Sequence, residues 1–168
     1  MYQMKFLWAA ICGLLFFSAC KKESTCPYAN PTVKATATEI AALQDFLQVN
    51  NITATQDGSG IFYTITTNGQ GAVASMCSYI TVKYKGSILT SGAIFDSTAT
   101  GSAASFELGG LMNGWKYGLP KIKPGGKISL FIPPSLGYGS TAVTGQNGSI
   151  IIPANSYLRF DVELDAVE

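Results

Sequence analysis

Apolar and polar residues alternate along several short stretches of the chain, a pattern typical of strands with one buried face. It is clearest at residues 79–89, where Ile80, Val82 and Tyr84 are separated by polar or charged residues. Side chains of a strand point to opposite faces in turn, so this period of two predicts a half-buried strand. The same criterion predicts strands at 61–65, 79–89, 105–108, 127–133 and 157–167.

A helical period precedes the strands. At residues 38–49 apolar side chains recur three or four positions apart, namely Ile40, Leu43, Phe46 and Leu47. This spacing places them on one face of a helix, with Thr38 as a candidate N-cap and Asn50 and Asn51 as its end. The apolar face could pack on the domain that follows or form a contact in a dimer, and the sequence leaves both open.

A second, shorter helix is predicted among the strands, at residues 112–119. It contains Trp115 and ends before Pro120, because proline cannot continue a helix. Several antiparallel strands, glycine-rich connections and one short helix are typical of an α+β domain. We therefore expect one antiparallel α+β domain at 60–168, preceded by an N-terminal helix at 36–52.

The N-terminal stretch differs from the rest in composition. Lys5 precedes an uncharged apolar run at 6–19, which is too short to cross a bilayer core of about 30 Å and is typical of a secretory signal peptide. The run ends in Phe-Ser-Ala-Cys, which resembles the bacterial lipobox, where the cysteine receives lipid and becomes the first mature residue. We predict a signal peptide at 1–19 and lipidation of Cys20, with plain secretory cleavage after Ala19 as the alternative.

Residues 20–35 are polar and contain two prolines, which predicts a flexible tether between the lipidated cysteine and the folded part. Acyl chains on Cys20 would anchor the protein to a membrane. The expected location is therefore the cell envelope, on a bacterial membrane facing the periplasm or the exterior.

Two of the four cysteines are left for the folded protein. Cys12 would leave with the signal peptide and Cys20 would carry the lipid, so Cys26 and Cys77 remain. Beyond the inner membrane the environment is oxidising, and these two could form a disulfide that closes a loop of about 50 residues. Two free, buried thiols are the alternative.

Composition narrows the range of functions. The chain has 168 residues, of which 47% are apolar and 12% charged, which suits one core and is short for two. A net charge of +1 without a basic cluster argues against a nucleic-acid partner. The chain has no histidine, the commonest general base and metal ligand, and neither a metal site nor a cofactor is expected.

Nine short motifs resemble, in their order and spacing, the successive signature blocks of FKBP-type peptidyl-prolyl isomerases. They are VKYKG (82–86), GAIFDS (92–97), FELG (106–109), LMNGW (111–115), GGK (125–127), IPP (132–134), LGYG (136–139), IPANS (152–156) and FDVEL (160–164). Nine motifs in the family's order are far more specific than any one of them.

The resemblance implies a curved antiparallel sheet wrapped around a short α-helix, with an apolar pocket between them. Six residues at motif positions would form the catalytic pocket: Tyr84, Phe95, Asp96, Trp115, Tyr138 and Phe160. Four more would contact the substrate: Leu111, Met112, Ile151 and Ile152. Trp115 would be the pocket floor, while the Tyr138 hydroxyl and the Met112 backbone amide would donate hydrogen bonds to substrate carbonyls.

The chain departs from the family pattern beside the pocket. Ala104 stands where some members carry an aromatic wall residue, and no basic residue lies at 99–101 to pair with the pocket aspartate. Asp96 would therefore depend on Tyr84 or on water.

The implied function is cis-trans isomerisation of peptide bonds preceding proline, in the folding of exported proteins. Proline-containing polypeptides are the expected partners, and macrolide inhibitors of the family could also bind. A module of the same fold that binds proline segments without turnover and a structural lipoprotein are the alternatives. Tyr138, Trp115 and Asp96 separate them, because packing alone would not require these residues.

Overall fold

The computed structural model describes residues 25–168. The predicted signal peptide at 1–19 and the predicted lipidation site Cys20 lie outside the described residues. Within the part that is described, no helix combines the length and the apolar character needed to cross a membrane.

Seven strands form the main sheet, and each neighbouring pair is antiparallel. They are β1 (Thr55–Gln56), β2 (Phe62–Thr67), β3 (Tyr79–Ile88), β4 (Ile94–Ser97), β5 (Ala104–Glu107), β6 (Gly126–Ile132) and, last in the chain, β9 (Leu158–Val167). Their order is β1-β2-β6-β9-β3-β4, and β5 pairs with the first half of β3. A separate hairpin is made of β7 (Val143–Thr144) and β8 (Ile150–Ile152). The predicted antiparallel α+β fold is confirmed.

β9 pairs with β6 on one side and with β3 on the other, so it lies inside the sheet. Every second side chain of its first seven residues is buried, namely Leu158, Phe160, Val162 and Leu164. This alternation follows from the period of two along a strand. The buried side chains belong to the main core, which also contains the short helix α2 (Asn113–Gly118).

α2 has six residues, too few to be stable without tertiary contacts. Two of its glycines allow it to approach β6 closely. A Cβ on Gly114 would lie 2.6 Å from Cδ1 of Ile132, and one on Gly118 would lie 2.5 Å from Cδ2 of Leu130. This contact brings Trp115, which lies between the two glycines, into the core.

The longer helix, α1 (Ala37–Val49), packs on the opposite face of the sheet. Its Leu43 and Leu47 are buried against Phe62 of β2 and Phe131 of β6 in a second, smaller core. Phe131 alternates along β6 with the residues that face α2, which is why the two helices lie on opposite faces. The apolar face of this helix therefore packs on the domain, which is one of the two roles that the sequence left open.

The N-cap of α1 is Thr36, and not Thr38 as predicted. Oγ1 of Thr36 accepts a hydrogen bond from the backbone N–H of Glu39 at 3.2 Å, and the Glu39 carboxylate accepts one from the backbone N–H of Thr36 at 2.9 Å. This reciprocal arrangement is a capping box. Its sequence signature, Thr-x-x-Glu, is present at 36–39 and identifies the earlier threonine.

Residues 26–35, here called the strap, lie on the domain. Cys26 is joined to Cys77 by a disulfide, with 5.6 Å between the two Cα atoms. At the other end of the strap, the N–H of Ala35 donates to the carbonyl of Ser59 at 2.8 Å. The flexible tether predicted for 20–35 therefore does not extend through the strap.

Aromatic contacts hold the middle of the strap. The ring of Tyr28 packs over Gly109, where no side chain would fit, and its hydroxyl donates to Oε2 of Glu107 at 3.1 Å. The hydroxyl of Tyr117 on α2 lies 2.8 Å from the carbonyl oxygen of Pro31. The strap thus contacts both α2 and the turn that precedes it.

The predicted elements differ from the structure mainly at their ends and among the shortest strands. The predicted strands begin and end within two residues of β2, β3, β5, β6 and β9. β1, β4, β7 and β8 are not among the predicted strands. They have two to four residues each, too few for an alternating pattern to be visible.

Candidate active site

A cavity of about 120 Å³ opens between α2 and the sheet. It is lined mainly by aromatic and aliphatic side chains, with one carboxylate at its edge: Tyr84, Asp96, Phe106, Leu111, Met112, Trp115, Tyr138 and Phe160. A cavity of this size suits one small ring, and any larger ligand would extend beyond it.

Trp115 is almost fully enclosed, with 4% of its surface exposed. Its ring meets those of Tyr84 and Phe160 edge to face, each at a centroid distance of 5.3 Å, and that of Phe106 at 6.3 Å. Perpendicular ring pairs are the favoured arrangement because of the ring quadrupoles. Within the described residues the indole nitrogen has no hydrogen-bond partner, so its N–H is an unpaired buried donor.

Gly86 makes room for the wall of the cavity. It lies on β3 opposite Phe160 of β9, and a Cβ at this position would be 2.7 Å from Cε1 of Phe160 and 2.8 Å from Cζ of Phe95. The two rings meet edge to face over the glycine at 5.5 Å. Phe95 also contacts the ring of Tyr138 at 6.3 Å, so it packs against two lining residues without lining the cavity itself.

The polar edge of the cavity consists of a phenol and a carboxylate. The hydroxyl of Tyr84 donates to Oδ2 of Asp96 at 2.7 Å. Burial, and then this hydrogen bond, raise the pKa of Tyr84 to about 12. None of the ion pairs among residues 25–168 includes Asp96. The partner of Asp96 is therefore Tyr84, one of the two candidates that the sequence left for it.

Thr98 fixes the backbone of Tyr84. Its Oγ1 accepts a hydrogen bond from the Tyr84 N–H at 3.2 Å, and its own N–H donates to the Tyr84 carbonyl at 3.0 Å. Thr98 directly follows β4, which carries Asp96. The phenol and its acceptor are thus held by the same short segment.

Tyr138 stands at the mouth of the cavity, with 41% of its surface exposed. Burial, and then the negative charge of Asp96, raise the pKa of its hydroxyl. Tyr138 therefore stays protonated at neutral pH and can donate a hydrogen bond to a bound ligand.

Not every residue that the sequence singled out lines the cavity. Phe95 is not among the lining residues. Ile152 is 2% exposed and belongs to the main core, and Ile151, its neighbour on β8, is 43% exposed. Neither isoleucine is among the lining residues. Their adjacent positions in a strand direct them to opposite sides, which the motif alone did not specify.

Phe106 lines the cavity but was not among the predicted site residues. Its strand β5 pairs with β3 so that Phe106 lies opposite Ile80. The motif FELG contained the residue, and sequence reasoning attributed it to folding alone. Ala104 stands where some family members carry an aromatic wall residue, and Phe106 follows it by two residues on the same face of the strand. This spacing could have identified Phe106 as a pocket residue.

A larger groove, of about 470 Å³, lies on the other face of the sheet. It is lined by side chains that alternate with the cavity residues, including Lys83, Lys127 and Glu163. Lys127 and Glu163 form an ion pair at 3.1 Å in which both side chains are more than one third exposed. An open groove with a charged lining cannot exclude water, so we assign the site to the smaller aromatic cavity.

The chain is similar to known proteins over more than half of its length. Residues 71–165 match the family model described as FKBP-type peptidyl-prolyl cis-trans isomerase. The chain is 43% identical over 107 residues to FkpA of Escherichia coli K12, an alignment that covers 63% of this chain and 37% of that protein. The crystal structure of Escherichia coli FkpA superposes with a TM-score of 0.65 at 36% identity, covering 79% of this chain and 60% of that one.

A shorter relative superposes over almost its full length. It is a peptidyl-prolyl cis-trans isomerase from Pseudomonas syringae pv. tomato, with a TM-score of 0.64 at 26% identity, covering 82% of this chain and 99% of that one. The curated relatives are longer, and the alignments span 37% to 47% of their lengths. Because the matched family model covers more than half of the chain, this protein belongs to the family of FKBP-type peptidyl-prolyl cis-trans isomerases.

Proposed function

We propose that this chain catalyses the cis-trans isomerisation of peptide bonds that precede proline, with the aromatic cavity as its active site. The observation that carries the proposal is the buried indole of Trp115, enclosed by perpendicular rings in a cavity that Tyr138 also lines. Proline-containing polypeptides are the substrates, and macrolide inhibitors of the family are candidate ligands of the same cavity.

The reaction needs no acid or base. An X-Pro amide is planar because of resonance, rotation costs about 18–20 kcal/mol, and uncatalysed exchange takes tens of seconds or longer. The twisted transition state has lost this resonance, and its carbonyl is less dipolar. A water-poor cavity therefore destabilises the planar ground state more than the twisted state.

The residues divide these tasks. The indole of Trp115 supports the prolyl ring, and the surrounding rings keep water away from the amide. The Tyr138 hydroxyl and the Met112 backbone amide donate to the substrate carbonyls, which fixes the peptide on either side of the rotating bond. Asp96 orients Tyr84, through the 2.7 Å hydrogen bond, so that its ring forms one wall.

A protease-coupled assay on a proline tetrapeptide tests the proposal. The full-length chain in detergent should accelerate isomerisation, and the double variant Tyr138→Phe/Asp96→Val should lose most of this activity while its circular dichroism stays unchanged. A folded wild-type chain that binds the peptide without turnover would refute the isomerase proposal and favour the alternative of a proline-binding module.

We also propose that the protein works in the cell envelope, anchored by lipid on Cys20. The disulfide between Cys26 and Cys77 supports an oxidising compartment, because structural disulfides persist there and are rare in the cytosol. Cys20→Ser should release the protein from membranes in a fractionation experiment. Unchanged membrane retention of that variant would contradict lipidation.

A further inference from the structure

The N-terminal helix is connected to the turn that carries Tyr138. Oε1 of Glu39, on α1, accepts a hydrogen bond from the backbone N–H of Ser135 at 2.9 Å, and Oε2 accepts one from its hydroxyl at 2.7 Å. Ser135 belongs to the short 3₁₀ turn Pro134–Leu136, three residues before Tyr138. One carboxylate thus takes both donors of a single residue in the active-site turn.

Tyr138 needs such an attachment because it lies between two glycines. Gly139 has a φ of +69°, and Gly137 has a φ of −109° with a ψ of −118°. Glycine backbones are the least restricted, so neither neighbour holds Tyr138 in place by itself. The N–H groups of both glycines bond to the carbonyl of Pro134, at 3.0 and 2.8 Å. The position of Tyr138 therefore follows that of the turn.

The helix and the turn are each also fixed to the rest of the domain. The hydroxyl of Tyr157 donates to the backbone carbonyl of Glu39 at 3.4 Å, and Leu136, inside the turn, is fully buried in the core. Capping of α1 does not account for the bonds to Ser135, because the capping box is complete with Thr36 alone. The carboxylate has a second set of contacts, 96 residues away in the sequence.

We propose that Glu39 is a positioning residue for Tyr138, and that it holds the turn at Ser135 so that the Tyr138 hydroxyl meets the substrate carbonyl. The inference rests on the proposed isomerase function and assigns a role in it to α1, which lies outside the nine family motifs. Hydrogen bonds to a carboxylate are shorter and stronger than neutral ones, which suits this task.

Kinetics in the full-length chain test the coupling. Glu39→Ala should lower kcat/KM by about tenfold, the factor that one charge-assisted hydrogen bond can contribute. Glu39→Gln should restore part of the loss, since an amide can still accept from the Ser135 N–H. Ser135→Ala provides a milder version that removes one bond only. Thr36→Ala is the matched control, because it removes the Oγ1 cap of the same helix and one donor to Oε2 of Glu39, and keeps both donors of Ser135.

A double-mutant cycle separates positioning from general stability. In a Tyr138→Phe background, Glu39→Ala should change kcat/KM by less than about twofold, because the hydroxyl that it positions is already absent. An equal loss in both backgrounds, or an equal loss from Thr36→Ala, would overturn the inference.

Hydrogen exchange supplies a readout that does not depend on turnover. In Glu39→Ala the amides of residues 135–140 should exchange faster than in Thr36→Ala, with α2 unaffected. The same exchange rates in both variants would overturn the inference even if the wild-type chain is an active isomerase. Faster exchange in a chain without isomerase activity would leave the connection intact and refute the proposed function instead.

Discussion

The hydroxyl of Tyr84 donates a 2.7 Å hydrogen bond to Oδ2 of Asp96 at the edge of the aromatic cavity. Tyr84 lies on β3, and Asp96 lies on the neighbouring strand β4 opposite Gly86. The pair links two strands at the point where one of them has no side chain. The Asp96 carboxylate orients the Tyr84 ring, which forms one wall of the cavity. Asp96 takes part in no ion pair within the described chain.

Removing either partner of this pair should reduce catalysis. Tyr84→Phe keeps the ring, and Asp96→Val keeps the approximate volume of the side chain, so both chiefly remove the hydrogen bond. We expect kcat/KM to fall by about tenfold in each, and the double variant to fall little further because the two residues act as a unit. A protease-coupled assay measures this. Asp165→Asn is the control, since Asp165 pairs with Lys83 at 2.9 Å on the other face; a similar loss there would contradict the assignment.

Catalysis should be nearly independent of pH from about 6 to 9. The chain has no histidine, the pKa of Tyr84 is raised to about 12, and that of Tyr138 is raised as well, so neither phenol ionises in this range.

Stability should depend on pH through Tyr84. Because the folded state binds the Tyr84 proton more tightly than the unfolded state, the stabilising contribution of Tyr84 is complete below pH 10 and is lost as the pH rises toward 12. A pH-rate profile and urea unfolding between pH 8 and 11.5 check the two statements. A bell-shaped profile near pH 7 would indicate a general base.

Acid should destabilise the fold through Asp57. Burial opposes its ionisation, but hydrogen bonds from Ser59 and Lys121 outweigh this effect and lower its pKa below 3.8. A lowered pKa stabilises the fold above pH 3.8, and this contribution is lost as the pH falls through the folded-state value. Urea midpoints between pH 6 and pH 2.5 should fall less in Asp57→Asn than in the wild type. Parallel curves for the two proteins would show that this carboxylate is not responsible.

Gly86→Ala should disturb the wall of the cavity. The new Cβ would overlap the rings of Phe160 and Phe95, so the rings must shift, which costs about 1–3 kcal/mol of stability and widens the cavity. We expect a lower unfolding midpoint together with a loss of turnover. Gly58→Ala is a matched control, because nothing lies within 4 Å of its added Cβ. Full activity in Gly86→Ala would show that the wall tolerates displacement.

Loss of the disulfide should release the strap and lower stability. Replacing both Cys26 and Cys77 by serine opens a loop with a sequence separation of 51 residues, for which we expect a loss of about 2–4 kcal/mol. Chemical denaturation of the full-length chain measures the difference. Wild-type protein under strong reductant should behave like the variant. An unchanged midpoint would indicate that Tyr28 and the other strap contacts hold the segment without the bond.

Sequence reasoning located the strongly patterned parts of the fold. The alternation around Val82 and Tyr84 predicted β3 nearly to its ends, and the helical spacing of Leu43 and Leu47 predicted α1. These elements are long and half-buried, and one period persists over three or more repeats. The strap was misinterpreted because its few apolar residues have no period. It is held by the disulfide, by the ring of Tyr28 and by hydrogen bonds with Tyr117 and Ser59, all of which are tertiary contacts.

For the site too, some residues could be predicted from the sequence and others could not. Motif positions identified the aromatic residues that enclose the cavity, because each motif fixes a residue type at a known place. Phe106 was missed because a phenylalanine in a strand usually serves packing, and only the register of β5 on β3 turns it toward the cavity. The bond between Glu39 and Ser135 joins residues 96 apart in the sequence, and no local pattern signals it.

If Cys20 carries the proposed lipid, the disulfide also limits how far the domain can stand from a membrane. Cys26 is fixed to the folded unit, and it follows the proposed lipid site Cys20 by six residues, which span at most about 20 Å when extended. A free tether of all sixteen residues from 20 to 35 would reach about 50 Å. With the disulfide formed, an anchored protein would meet only those polypeptides that pass within a few nanometres of the lipid headgroups. Reduction of the disulfide would lengthen the tether and allow the protein to meet polypeptides farther from the membrane.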